Sequence, residues 1–423
     1  MSERWEYMVA LISIILASTL LCAICQGYLI RHLRVLYSQP DSTWPAGVPW
    51  PKVAVVLSLR GKDPFLVTCL RNLLQQDYPD YFLQVIVDSE TDPAWEAIET
   101  IRPECRADRL RVASLAHHDS SRSLKNSAIL QAIRSLPADC EVVAFVDADA
   151  ITHPQWLKSL VRPLADSTVG CSTGIRWFSG ASQSLASRLR CDWNLFAAPV
   201  IHASGIPWGG SMAVPRRVLD MNLPREWENA FCEDAPTAIF LRRHKLKLRC
   251  VPQATLVNQE RTTVAACFHF ISRQMLIFRL YHPYWWPLFL GIVFAAVVRI
   301  TTLVLVGKSL WNGDAVTFIA LASIYAIMPM VARYEARKLY LAVQKSLSET
   351  GRQLPTNPLP DLVIFLCAEL MAVGSALAAA FTRFAKWRGI TYRISRGRKI
   401  RMIAYRPFVA TSPTPLAQYE SVG

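Results

Sequence analysis

Long apolar runs lie toward both ends of the chain, and between them hydrophobic and polar positions change over on a shorter scale. Met8–Ile30 carries no formal charge over 23 residues, which is long enough to cross a bilayer as a helix. A secretory signal has a shorter apolar core and a small-residue cleavage site. Here Arg31-His32-Leu33-Arg34 follows at once. The pattern predicts an uncleaved anchor over residues 1–37 whose C-terminal end is cytosolic by the positive-inside rule. Three further apolar segments, Pro287–Gly307, Ala315–Ala332 and Leu362–Thr382, define a membrane region over 287–382. The first contains Arg299 and the last Glu369, charges expected to face protein or a water-filled site. Phe268–Tyr281 mixes apolar and cationic residues at helical spacing, and Tyr284-Trp285-Trp286 follows. This predicts an interfacial helix over 266–286.

The middle of the chain reads differently. Residues 38–51 hold four prolines and form a linker. Residues 52–265 form the predicted cytosolic domain. Val53–Leu59 is a β-branched run that ends in polar Arg60-Gly61-Lys62-Asp63. Phe65–Gln76 then has helical spacing, and Gln84–Val87 is a second short strand that ends at Asp88. Helices are predicted over Pro93–Ile101 and Leu124–Leu136, and the strand Val142–Val146 ends at Asp147. Strand–helix–strand alternation at this spacing means an α/β fold with a Rossmann-type parallel sheet and helices on both faces. Ligands of such sheets sit beyond the carboxyl ends of the strands. Arg60, Asp88 and Asp147 are therefore expected to share one crevice.

Composition sharpens this picture. The chain has 423 residues, is 52% hydrophobic and has a formal charge of +14. Arg383–Arg406 holds nine Lys or Arg and no acid, and opens a basic cytosolic tail over 383–423. A basic run beside a membrane segment is expected at anionic lipid headgroups. Nucleic acid is the rival partner for such a run and is not expected here, since no recognition motif accompanies the charge. The 11 cysteines are scattered and read as reduced,. Cys22-x-x-Cys25 lies inside the anchor, where a zinc site would need ligands within lipid.

The candidate chemistry is acidic. Asp147 and Asp149 are spaced i, i+2, so in an extended chain both point one way. Two carboxylates with water and phosphate oxygens suit Mg²⁺ or Mn²⁺. The plainer alternative is that Asp147 caps a turn and Asp149 is solvated. Glu233-Asp234 precedes a helix over Thr237–His244, where Asp234 is either a general base or a residue favoured by the helix dipole. Arg273 is either a phosphate-binding cation or a surface residue snorkelling to lipid. His117-His118-Asp119 reads as a loop. Trp193, Trp208 and Trp227 read as core or cleft walls.

Taken in order, these motifs resemble membrane glycosyltransferases of family 2 type, closest to ceramide glucosyltransferases. Asp88-Ser89-Glu90-Thr91-Asp92 resembles the family's first acidic mark, Asp147 and Asp149 its metal site, and Glu233-Asp234 its base-bearing pair. Arg60-Gly61-Lys62-Asp63-Pro64, Gln76-Asp77-Tyr78-Pro79, Lys125-Asn126 and Gly210-Ser211-Met212 also match. The resemblance runs from about Lys52 to Pro283. One signature departs: in Ser272-Arg273-Gln274-Met275-Leu276-Ile277, Leu276 and Ile277 stand where the family has Arg-Trp. Arg279, two turns along from Ser272, is a substitute cation.

The resemblance implies a GT-A-like sheet flanked by N- and C-terminal transmembrane helices, and a metal-assisted, inverting transfer of one sugar, glucose, from a UDP-sugar to a lipid hydroxyl such as that of ceramide. Arg60, Asp88, Asp92, Lys125 and Arg279 would bind the donor, Asp147 and Asp149 a divalent ion, and Asp234 and Arg273 would serve catalysis. The expected partners are the nucleotide sugar and a membrane lipid, at the plasma membrane of a bacterium or the Golgi or ER of a eukaryote. Rival readings are a processive polysaccharide synthase, a polyprenyl-phosphate sugar transferase and a catalytically inactive membrane binding protein.

Overall fold

The computed structural model describes residues 2–40, 42–178, 184–258, 261–352, 354, 362–395 and 399–408. The chain opens with helix α1 (Ser2–Leu36) and strand β1 (Val53–Leu59), then α2 (Leu66–Leu74), β2 (Tyr81–Val87), α3 (Ala94–Ile101) and β3 (Leu110–Ser114). Next come α4 (Leu124–Arg134), β4 (Val142–Val146), α5 (Trp156–Val161), β5 (Val169–Thr173), β6 (Arg176–Phe178) and α6 (Leu185–Ala203). Strand β7 (Ser211–Pro215) leads through short α7 (Arg216–Asp220) and α8 (Leu223–Trp227) to α9 (Asp234–Arg243), β8 (Lys247–Cys250) and β9 (Leu256–Asn258). Helices α10 (Val264–Tyr281), α11 (Trp285–Trp311), α12 (Ala315–Ser348) and α13 (Leu362–Phe381) precede β10 (Phe384–Trp387), β11 (Ile390–Ile394) and β12 (Ile400–Ala404). These elements form two compact units: a sheet unit of residues 46–158, 213–233 and 383–423, and a helical unit of residues 1–45, 159–212 and 234–382.

In the sheet unit the strand order is β3-β2-β1-β4-β7, and β1 runs parallel to both β2 and β4. Every residue of β2 and β4 is buried, and every residue of β1 except Ser58. Continuous apolar strands of this kind need cover on both faces. From β1 the chain steps outward to β2 and β3, then returns to β4 on the other side of β1. Right-handed crossovers place α2 and α3 on one face and α4 on the other. The reversal between β1 and β4 is a topological switch point, where a crevice opens at the carboxyl ends of the strands.

Part of the basic segment after α13 is folded. Strands β10, β11 and β12 form an antiparallel sheet that joins the same unit as β1–β4. The Leu124 N–H donates to the Tyr392 hydroxyl at 3.2 Å, and the Met402 N–H donates to the Ser120 carbonyl at 2.7 Å. The Arg388 guanidinium forks onto the Asp63 carboxylate at 2.7 and 2.5 Å. Residues 409–423 of the expected tail lie outside the described residues.

In the helical unit, stretches of α1, α11, α12 and α13 are long and apolar enough to cross a membrane. Large apolar side chains stay exposed along them, such as Ile24 at 67% and Leu370 at 66%. A hydrocarbon solvent, not water, suits such faces. The two charges within the apolar runs find each other: Arg299 and Glu369 approach to 2.9 Å. The predicted span Ala315–Ala332 is the first half of α12. Its second half buries Leu339, Val343 and Leu347 against Ile175, Trp177 and Val257.

The placement of β10–β12 constrains the topology. One folded unit lies on one side of a membrane, so the chain between Glu233 and Arg383 crosses an even number of times. Helices α11, α12 and α13 therefore do not all cross. The first two form a hairpin through the turn at Gly313, whose φ is +68°. Helix α13 packs along α6 and α10, and α11 with α12 is the expected crossing pair. Protease sites inserted at Gly313 and after Gly423 are expected to be cut from opposite sides of sealed vesicles. Cleavage of both from the same side would contradict this topology.

Candidate active site

Strand register gathers the first residues. Leu59 pairs with Val87 and Leu57 with Val146, so Arg60, Asp88 and Asp147 emerge from adjacent strand ends. The Arg60 guanidinium forms an ion pair with Asp88. It also donates to the carbonyls of Arg388 at 2.8 Å and Arg406 at 2.9 Å. Asp88 is only 4% exposed, and its Oδ1 has no hydrogen-bond partner among the described residues. Burial pushes its carboxyl above the ordinary range, and the Arg60 cation offsets this only in part. Asp88 thus keeps a spare acceptor at the strand end. The rings of His118 and Tyr405 lie close by each other, 4.1 Å between centroids.

Asp92 has a different place. Its carboxylate accepts from the Gly61 N–H at 3.0 and 2.9 Å and from the Ala94 N–H at 2.8 Å. It braces the turn that aims Arg60. Gly61 has φ +77°, and a Cβ there would fall 2.7 Å from the Phe408 ring. Both the backbone angle and the close approach require glycine.

Lys125 connects the metal candidates to the later acidic pair. Ser123 caps α4, its hydroxyl accepting from the Asn126 N–H at 3.1 Å, which sets Lys125 in the first turn. Its Nζ lies 2.7 Å from Asp147 Oδ1 and 2.7 Å from Glu233 Oε1. Burial pulls the ammonium pKa down, but the two carboxylates outweigh it and hold Lys125 above its usual range as a fixed cation. Asn126 donates to the carbonyls of Trp227 at 3.1 Å and Ala230 at 3.2 Å, which holds the loop bearing Glu233.

The alternation argument for Asp147 and Asp149 does not apply, because β4 ends at Val146 and the Ala150 N–H closes a turn onto the Asp147 carbonyl at 3.1 Å. Both carboxylates sit on this turn, and both are partly exposed. No group of three or more acidic, His or Cys side chains with metal-binding geometry occurs among the described residues. Two hard oxygen donors on one turn fit an ion that takes its remaining ligands from phosphate and water, as Mg²⁺ does.

The remaining candidates belong to the helical unit. Asp234 opens α9, and its Oδ1 accepts from the Ala235 N–H at 2.7 Å. It also lines a cavity of about 730 Å³ whose walls come mainly from apolar residues of α1, α6, α10, α11 and α13. Arg273 lies on α10 with its guanidinium carbon 5.6 Å from the Phe270 ring centre. Arg279 donates to the carbonyls of Ala380 at 2.6 Å and Thr382 at 2.9 Å, which satisfies the C-terminal end of α13.

Four functional candidates escaped the sequence reading. Glu233 was read only as a companion of Asp234, yet it holds Lys125. Tyr405 and Arg406 are far from Arg60 in sequence, and nothing local announces their contact. Asp192 lines the same cavity as Asp234; its signal was an acid in the otherwise uncharged stretch Cys191–Ile201.

The sequence family described as Glycosyl transferase family 21 matches residues 11–400. Among solved structures, the chain is similar to a mannosyltransferase from Pyrobaculum calidifontis in complex with GDP-Man and Mn²⁺. The TM-score is 0.49 at 16% identity, over 88% of this chain and 97% of that one. It is also similar to glucosyl-3-phosphoglycerate synthase from Mycobacterium tuberculosis in complex with Mn²⁺ and UDP-glucose. That TM-score is 0.35 at 16% identity, over 56% and 85%. No curated protein sequence matches. The structural overlaps are loose, so the sequence family is the finding that carries weight.

Removing Lys125 leaves two carboxylates facing each other without their cation. Lys125→Met is expected to lower unfolding stability by about 3–5 kcal/mol, read by denaturant melts of the detergent-solubilised protein. Adding Glu233→Gln is expected to return part of that loss through a coupling of about 0.5–3 kcal/mol. Strict additivity of the two changes would contradict the bridge.

Proposed function

We propose, on the premise that the chain belongs to glycosyl transferase family 21, that it moves one glucose from a UDP-sugar to the hydroxyl of a membrane lipid such as ceramide, with inversion at the anomeric carbon. That it is a glycosyltransferase follows from the family. The observation that carries the lipid acceptor is the position of Asp234 on the wall of a mainly apolar cavity among the long helices. A volume of about 730 Å³ falls within the range of about 300–1,000 Å³ typical of ligand pockets. A water-soluble acceptor would gain little from such walls.

Each residue then has a task. The spare Oδ1 of Asp88 accepts a hydrogen bond from the nucleoside end of the donor, and Arg60, aimed by Asp92, supplies positive charge beside it. Asp147 and Asp149 would hold Mg²⁺ or Mn²⁺, which as a Lewis acid would neutralise the leaving diphosphate. Lys125 fixes the Asp147 carboxylate. Asp234 takes the proton from the lipid hydroxyl as general base. The freed oxygen bonds to the anomeric carbon while the bond from that carbon to the diphosphate oxygen breaks. A single displacement inverts the centre. Arg273 adds a charge-assisted hydrogen bond to the departing phosphate, and Arg279 acts indirectly by holding the end of α13. Arg31 and Arg34 at the end of α1 support a cytosolic sheet unit by the positive-inside rule.

Purified protein incubated with radiolabelled UDP-glucose, Mn²⁺ and ceramide in mixed micelles is expected to give an organic-extractable glycolipid. Asp234→Asn is expected to lower kcat by about 10²–10⁴-fold. An ethanol-insoluble polymer as the sole product would overturn the lipid acceptor. Full turnover by Asp234→Asn would overturn the base.

A further inference from the structure

Asp192 has no role in the chemistry just described, yet its position is costly. It lies on α6 and is 2% exposed. Neither carboxylate oxygen has a hydrogen-bond partner among the described residues. Burying a polar group without a partner costs several kcal/mol in an apolar medium. Its neighbours do not relieve it. Burial pushes the carboxyl up to about 7, Glu369 on α13 pushes the same way, and Arg333 on α12 offsets only part. Glu369 is itself engaged with Arg299.

The second observation is the cavity. Asp192 and Asp234 both line it, together with Trp193 and Asn194 beside Asp192 on α6. The walls are otherwise dominated by aliphatic and aromatic side chains of the long helices. An acceptor seated there with its hydroxyl at Asp234 shares the cavity with an acid that has no hydrogen-bond partner among the described residues.

We propose that Asp192 is a specificity-determining residue that accepts a hydrogen bond from a second donor on the lipid, an amide N–H or an additional hydroxyl near the reacting one. This rests on the lipid-acceptor reading of the same cavity. A lipid whose linkages only accept hydrogen bonds leaves Asp192 unpaired and is disfavoured. A site built around a buried polar group rejects the analogue that lacks its partner more strongly than an apolar pocket rejects a change of shape.

The test compares two acceptors in mixed micelles. Ceramide offers an amide N–H and a second hydroxyl; diacylglycerol offers one hydroxyl and ester oxygens. Wild-type protein is expected to favour ceramide in kcat/KM. Asp192→Leu is expected to cut kcat/KM for ceramide by roughly 10- to 100-fold, mostly through KM, with little change for diacylglycerol. Asp192→Asn, which keeps an acceptor oxygen, is expected to recover much of the preference. Asp192→Leu is also expected to melt no lower than wild type, because an apolar residue replaces an unpaired buried acid. A lower melting temperature with equal loss on both acceptors would make Asp192 structural and overturn the proposal. Unchanged selectivity in Asp192→Leu would also overturn it. Failure of the wild type to glucosylate either lipid would instead sink the lipid-acceptor reading.

Discussion

One partly buried ammonium ties the sheet unit together around its acids. Lys125 stands 2.7 Å from both Asp147 and Glu233, so the end of β4 and the loop after α8 are fixed to the first turn of α4. The neighbouring residues reinforce the same point. The Leu124 N–H reaches Tyr392 of β11, and Asn126 holds the carbonyls of Trp227 and Ala230. Like charges brought to one crevice repel each other, and without a cation between them the two carboxylates would ionise together only at high cost. The lysine makes that arrangement stable before any ion or nucleotide arrives.

The helical unit meets an opposite constraint. Its long helices must present apolar faces to lipid and still enclose polar chemistry. Arg299 and Glu369 resolve this by pairing. Asp192 does not, and Asp234 accepts from the Ala235 N–H at its own helix start. The cavity that both acids line is apolar in bulk, and Arg176, Arg299 and Glu369 also stand on its wall. One of the places where the chain passes from one unit to the other falls between Glu233 and Asp234, so an acid that serves the lysine clamp and an acid that faces the cavity are consecutive residues.

The C-terminal strands carry a lesson about charge. Nine cations with no acid looked like a headgroup anchor. In the folded chain one of them, Arg388, pairs with Asp63, and backbone carbonyls of the segment receive Arg60. The alternating pattern of β11 buries Ile390 and Tyr392 and leaves Arg393 outside. A basic stretch with that alternation belongs in a sheet, and the count of charges concealed it.

Local patterns in the chain were enough to set the parallel strands, the helices between them, the four long apolar helices and the acids at strand ends. Each of these follows from the period of hydrophobic positions within about ten residues, or from an unbroken apolar run. The family was legible for the same reason, since its motifs are short and ordered. Whether Asp147 and Asp149 lie on a strand or a turn, whether Arg279 meets phosphate or backbone, and where the basic tail folds were not local questions. Neither was the isolation of Asp192. Those outcomes depend on which distant group arrives to satisfy a charge or a carbonyl, and packing alone decides that.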